Sequence, residues 1–317
     1  MTNMVNTGLS SAAPKVRCRR IEDADAGEVV ALLTRGFAPR RGRRFWEQVI
    51  AHLGRRAVPA GAPRYGFLLE SDGATVGAIL QIFSCAPADA DGRAALRCNI
   101  SSWCVDSEFR SYAPLLVSQA LKQKEVTYLN VTAAPHTRPI VEAQGYARYA
   151  DGVFAALACL TPAGPGTAVR IVPAGMPTAA PCEAHEREVL EDHAQCGCIS
   201  LWCETATRAH PFVFRARRVR GLIPCAQLIY CRDMAELVRF ARPLGLHLAR
   251  RGLPLLILDA NGPVRGLLGR YFPDLMPKYY KGPRPPRLGD LAYTETAFFG
   301  VLARSDRLTL TRVLPQR

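Results

Sequence analysis

The side chains best suited to chemistry fall within eight consecutive positions, Trp103-Cys104-Val105-Asp106-Ser107-Glu108-Phe109-Arg110. A thiol, two carboxylates and a guanidinium lie where an apolar, β-rich run (100–105) gives way to a short turn (106–110). A helical pattern comes next, with Leu115, Leu116, Gln119, Ala120 and Leu121 at helical spacing. Such a turn, leaving a strand and opening a helix, aims backbone N–H groups and a helix N-terminus into open space. That is a place to hold a phosphate.

These residues need a scaffold to fix them. Residues 126–131 read as a buried strand, and 135–143 as a second helix closed by Gly145. Strand, helix, strand, helix calls for neighbouring parallel strands covered by helices. Upstream, 16–21 alternates like a strand, and the Glu22-Asp23-Ala24-Asp25 cluster opens a helix through Leu33. An arginine-dense loop (35–44) leads to a helix at 45–53 carrying Trp46, and 65–70 with 75–83 form a hairpin around Ser71-Asp72-Gly73. A final strand is expected at 153–160, and residues 1–15 read as a disordered lead-in.

The run VDSEFRSYAPLL (105–116) and the ending EAQGY (142–146) resemble the acyl-CoA-binding core of the GNAT acetyltransferase superfamily. There a strand ends in V-x-P-x-x-R-G-x-G-x-G and the last helix closes in E-x-x-G-F. Arg110 falls on the family's arginine. Ala113 and Leu115 stand where two glycines would let the coenzyme pyrophosphate approach the backbone, and Pro114 removes one amide donor. The order of elements over 16–160 is the GNAT order.

The resemblance implies acetyl-CoA or another acyl-CoA as co-substrate, held by Trp103, Val105, Arg110, Ser111, Tyr112, Ala113 and Leu115. No metal is expected, since Cys196-Gly-Cys198 is too close for the usual two-residue zinc spacing and has no partner pair downstream. It also implies direct attack of an amine on the thioester, with a carboxylate or water taking the amine proton. The base candidates are Asp106 and Glu108, which read equally as solvated turn residues. Cys104 is a candidate nucleophile, against the reading of an inert buried thiol. Val141 stands at the family's tyrosine position, with Tyr146 and Tyr149 nearby. In this fold the segment joining the first two helices covers the acceptor side. Here it offers Arg40, Arg41, Arg43 and Arg44, with Phe45 and Trp46 as an apolar platform, which points to an anionic small acceptor. The alternative is that these arginines merely solvate a loop.

The stretch 161–181 is rich in Pro, Gly, Ala and Thr and reads as a linker with one short strand, 168–172. After it come a helix (183–194), strands at 199–203, 212–219 and 223–230, a helix at 234–250 and a strand at 253–258. A short helix (264–271) and a closing strand (291–301) complete the reading. Leu129-Asn130-Val131 corresponds to Ile257-Leu258-Asp259, and Tyr149 to Tyr279, so the pattern repeats. The expected class is α/β (α+β): tandem GNAT-like folds, each a mixed, mostly antiparallel twisted sheet with helices on both faces. The domains are 16–160, the candidate catalytic one, and a degenerate 182–317. Degeneracy follows from Asp233 and Glu236, a capping-box pair where a phosphate cradle would be.

The 317 residues suffice for two ordinary domains, and no apolar run reaches the length of a membrane span. Eleven cysteines, mostly in apolar strand-like runs, suggest reduced thiols in the cytoplasm rather than a disulfide framework. Of 41 basic side chains only five are lysine, and the net charge is +14. Such a surface suits phosphorylated ligands, or it is simply solvated, and nucleic acid is not the expected partner. Two other readings compete with acyl transfer. One is a GNAT-like binding module that has lost catalysis. The other is a Fem-type transferase drawing on aminoacyl-tRNA.

Overall fold

The computed structural model describes residues 15–88, 94–162, 169–219 and 221–299. In the first half β1 (Val16–Arg20), α1 (Ala26–Gly36), α2 (Arg43–Arg55), β2 (Gly66–Ser71), β3 (Ala74–Ala88) and β4 (Ala94–Val105) come first. After them come α3 (Ala113–Ala120), β5 (Thr127–Asn130), α4 (Arg138–Ala143) and β6 (Ala147–Ala156). The second half runs β7 (Arg170–Pro173), α5 (Ala184–Gln195), β8 (Ile199–Glu204), β9 (Ala209–Val219) and β10 (Ile223–Cys231). It continues with α6 (Met234–Arg239), α7 (Ala241–Ala249), β11 (Leu255–Ala260) and β12 (Gly269–Lys281), and residues 295–299 form a last helical turn.

All twelve strands join one sheet in the order β1-β2-β3-β4-β5-β12-β6-β11-β10-β9-β8-β7. Replacing each strand by its counterpart in the other half reverses this order, so the halves are related by a pseudo-two-fold axis. Each half has one parallel pair, β4–β5 and β10–β11, among antiparallel neighbours. The sixth strands are exchanged: β12 pairs with β5 through Tyr279↔Asn130, and β6 pairs with β11 through Phe154↔Leu258. They also pair with each other at the centre. The repeat legible in the sequence thus falls on true counterparts, β5 with β11 and β6 with β12.

Burial explains the layers. In α1, Val29, Val30, Leu32 and Leu33 are buried, and in α2 Phe45, Trp46, Val49, Ile50 and Leu53, a one-sided stripe in each helix. These pack with α5 and Phe298 on one face. The other face is covered by α3 and α4 over the first half and by α6 and α7 over the second. Along the seam between the halves two ion pairs are buried, Arg97–Asp290 at 2.7 Å and Lys278–Asp259 at 3.4 Å.

Three expectations are corrected. The run 264–271 is not a helix, because strand β12 begins at Gly269. Residues 291–299 are not a strand: Thr294 accepts from the N–H groups of Ala297 and Phe298 through its carbonyl, and these bonds open a helical turn. Residues 300 and 301 lie outside the described residues. The strand foreseen at 153–160 starts earlier, at Ala147, and Ala158–Leu160 is a 3₁₀ turn.

Candidate functional site

β4 and β5 pair for only three residues, Arg97↔Thr127, Cys98↔Tyr128 and Asn99↔Leu129. β4 then continues to Val105 while β5 ends at Asn130, so the strands part. Ser102 takes φ 53, and β4 gains one residue on β3 between the pairs Ser101↔Leu80 and Cys104↔Ala78. This is a bulge, and it re-aims the side chains at the end of the strand. Trp103 and Val105 consequently pack on the α3 side, and Cys104 on the α1 side. Past Asn99, among the described residues, no strand pairs with β4 on its β5 side, so its backbone there is an open edge.

Asn99 stands where the strands diverge. Its Nδ2 donates to the Ile100 carbonyl at 2.7 Å, and its Oδ1 accepts the Glu295 N–H at 2.8 Å. The Glu295 carboxylate thereby reaches between the parted strands, accepting from the hydroxyls of Ser101 on β4 and Thr132 just after β5. Burial pushes its pKa above the usual carboxylate range. The two hydroxyls, Arg41 and Lys278 pull the other way without cancelling that effect. A carboxyl so poised is a proton acceptor placed beside an open strand edge.

The residues foreseen from sequence are placed unevenly around this point. Asp106 is bound in two places to Arg35, at 2.6 and 3.1 Å, which ties the end of β4 to the end of α1. Glu108 is exposed on the 3₁₀ turn Ser107–Tyr112. Cys104 is wedged against Gly36, where a Cβ would collide with its sulfur. Burial pushes that thiol up, Asp106 adds to the effect and Arg35 opposes it, so a thiolate nucleophile is disfavoured.

Arg110 and Ser111 are exposed beside the turn, Tyr112 and Ala113 are half-buried, and Leu115 is 36% exposed. The 3₁₀ turn satisfies its own donors as it goes: Phe109 N–H bonds Asp106, and Ala113 N–H bonds Arg110. Since Pro114 has no N–H, the first amides of the turn, at Ser107 and Glu108, are those left ahead of its internal bonds.

The arginine loop divides. Arg40 and Arg44 are exposed, and Arg43 pairs with Glu47 at 2.8 Å. Arg41 lies 4.3 Å over the Phe45 ring and is near enough to influence Glu295. The apolar platform is a correction: Phe45 and Trp46 are 1% and 2% exposed, because the helix stripe turns both into the core. Tyr146 is buried under α4, and Tyr149 lies at the seam with Arg97, Asp259 and Asp290 around it. In the second half the equivalent helix start is occupied. Asp233 accepts the Ala235 N–H at 3.0 Å, while Glu236 pairs with His210 and Arg232 rather than with the backbone.

Sequence reasoning missed Glu295, Ser101, Thr132 and Asn99. Glu295 comes nearly two hundred residues after the strand that it serves. Its one local signal is Thr294 before an apolar run, a helix-start pattern inside a stretch that otherwise reads as strand.

No family model matches the chain, and no curated protein matches it in sequence. Solved structures do share its shape. A GCN5-related N-acetyltransferase from Kribbella flavida superposes with a TM-score of 0.54 at 16% identity, over 84% of this chain and 71% of that one. One from Anabaena variabilis gives 0.52 at 10% identity, over 84% and 72%. A putative acetyltransferase from Pyrococcus horikoshii gives 0.52 at 11% identity over 92% and 96%. At such identities the likeness is one of architecture. The chain has the fold of the GCN5-related N-acetyltransferases, built twice into a single sheet.

Proposed function

We propose that this protein transfers an acyl group from a CoA thioester to the amine of a small acceptor, in the first half, with Glu295 as general base. The observation that carries the reading is the Glu295 carboxylate held between the parted strands by the hydroxyls of Ser101 and Thr132, with its backbone N–H anchored on Asn99. The open edge of β4 suits the extended, amide-bearing arm of a coenzyme, which would pair with it as an added strand does. The amides of Ser107 and Glu108, with exposed Arg110, suit its pyrophosphate. A CoA thioester supplies an acyl carbon already activated toward amines. Glu295 accepts the proton of the attacking amine, and backbone N–H groups near the bulge polarise the thioester carbonyl; as the N–C bond forms the C–S bond breaks, and CoA leaves as the thiol after its sulfur takes a proton from water. Arg41, with Arg40 beside it on the loop and Arg44 in the first turn of α2, favours an acceptor that also carries negative charge.

The test has two arms. Acetyl-CoA and longer acyl-CoAs at a hundred times the dissociation constant should stabilise the fold by about 2.7 kcal/mol. Arg110→Glu should remove that gain without unfolding the protein. In a thiol-release assay over a panel of amines, Glu295→Gln should lower kcat by about 10²–10⁴-fold, as loss of a general base does. No thermal shift with any acyl-CoA would instead favour a binding module, a reading supported by the self-satisfied 3₁₀ turn and the Leu115 side chain at the cradle. A shift with aminoacyl-tRNA alone would favour the Fem-type reading.

A further inference from the structure

We propose that the cleft between α2 and α5 binds a small organic anion, whose carboxylate or phosphate group is taken by Arg56 and Arg55. The cleft measures about 700 Å³, the size of small-molecule sites. None of Asn99, Ser101, Thr132 and Glu295 lines it, although Tyr293 and Phe298 on its wall flank Glu295 in sequence. Ser84, on its wall, pairs with Arg97, four residues back along β4 from Ser101, or about 13 Å at the rise of a strand. The inference therefore stands without the acyl-transfer reading.

Arg56 comes directly after the last residue of α2, where the backbone turns extended and drops the side chain into the cleft. Its guanidinium lies 4.8 Å from the Phe298 ring and 5.6 Å from that of Tyr293, and it donates to the Phe83 carbonyl at 3.1 Å. One carbonyl and two ring faces serve a group with five donors. Among the described residues no carboxylate pairs with it. Burial pulls its pKa down, and the attraction of Tyr293, Asp192 and Cys196 does not make up the difference. A cation partly withdrawn from water with no carboxylate in contact is costly, and an anion entering the cleft would offset that cost.

The surroundings fit one negative group at the α2 side. Exposed Arg55 lines the cleft from α2 and His185 from α5, and Val58, Pro59 and Phe83 give apolar contact for the rest of the ligand. The acids of the cleft, Glu188 and Asp192, lie on α5, and Asp192 already accepts the Tyr293 hydroxyl at 2.9 Å. They repel a ligand charged at both ends and orient one charged at a single end.

Calorimetric titration of the full chain with phenyl phosphate, benzoate and neutral benzyl alcohol tests this. At least one anion should bind saturably with one-to-one stoichiometry, and benzyl alcohol at least tenfold more weakly. Tighter phenyl phosphate would assign a phosphate ligand, and tighter benzoate a carboxylate. Arg56→Met should cost tenfold or more in affinity. Arg55→Glu, on an exposed side chain, should do the same. His52, held neutral with a pKa of about 4 by burial and by Arg56 and Arg55, gives a local readout. Saturating anion should move its ring titration upward. No saturable binding of either anion, equal affinity for benzyl alcohol, or unchanged affinity in Arg55→Glu would overturn the proposal.

Discussion

At Glu295 burial and hydrogen bonding act in opposite directions, and burial prevails. Its folded-state pKa lies above the unfolded one, so the folded protein holds that proton more tightly. The resulting stabilisation is complete below the unfolded pKa and is lost as pH rises through the folded value. Glu295→Gln should therefore melt at or above the wild-type temperature at pH 8, an advantage that narrows as pH falls toward 4.5, the ordinary glutamate value. Thermal melts of both proteins across that range check it; a Gln variant much less stable at pH 8 would make the carboxylate structural. Cys104 gives the opposite expectation for chemistry. Wedged against Gly36 with its thiol pushed up, it should be dispensable. Cys104→Ala should keep turnover within about twofold and cost roughly 1 kcal/mol of packing. Loss of turnover at unchanged stability would restore it as a nucleophile.

Among the elements, those built from local pattern were legible and those built by distant pairing were not. The stripes of α1 and α2, the hairpin at Asp72-Gly73 and the capped start of α6 all arise from neighbours in sequence. Strand β12 escaped because Pro273 and Pro277 interrupt it, and proline argues against a central strand. The structure absorbs them in a bulge between Pro273 and Lys278, with Asp274 and Met276 at positive φ. The site was half legible. The strand–turn junction at 103–110 could be found from residue types, but the carboxylate placed against it depends on how the chain returns from the second half.

α5 fixes that return. His193 Nδ1 bonds the Val189 carbonyl at 2.7 Å, its Nε2 accepts the Tyr293 N–H at 3.1 Å, and its ring stacks on Phe298. Burial depresses its pKa from 6.5 to about 4, an effect that the Val189 bond and nearby acids reduce but do not cancel. A depressed pKa gives stability that is present above 6.5 and lost as pH falls through about 4, amounting to about 3 kcal/mol at most. His193→Gln should flatten the acid limb of the stability profile between those values. An unchanged limb would place the acid sensitivity elsewhere. Asp233→Ala should cost about 1 kcal/mol, as lost caps do, and leave acyl-CoA affinity unchanged.

For the whole molecule the decisive feature is that each half-sheet is finished by the other half's last strand. Cut between the halves, β5 loses β12 as its neighbour, and β6 loses both β11 and β12. The first half would then expose a central strand edge and the apolar face that Leu291, Phe298 and Phe299 cover. The Arg97–Asp290 pair crosses the same boundary with both side chains nearly buried. Burial raises the Asp290 pKa, but Arg97 and Arg287 outweigh it and hold the carboxyl below its ordinary range. Removing one partner of such a pair leaves a buried charge alone, at a cost of about 3–5 kcal/mol. The two halves should accordingly unfold together, in one calorimetric transition, although the chain is long enough for two domains. Asp290→Ala should shift that single transition downward without splitting it, and residues 16–160 expressed alone should show no cooperative melt. Two separable transitions in the full chain, or a monomeric 16–160 fragment that melts cooperatively, would show instead that the halves fold independently and that the exchanged strands merely join them.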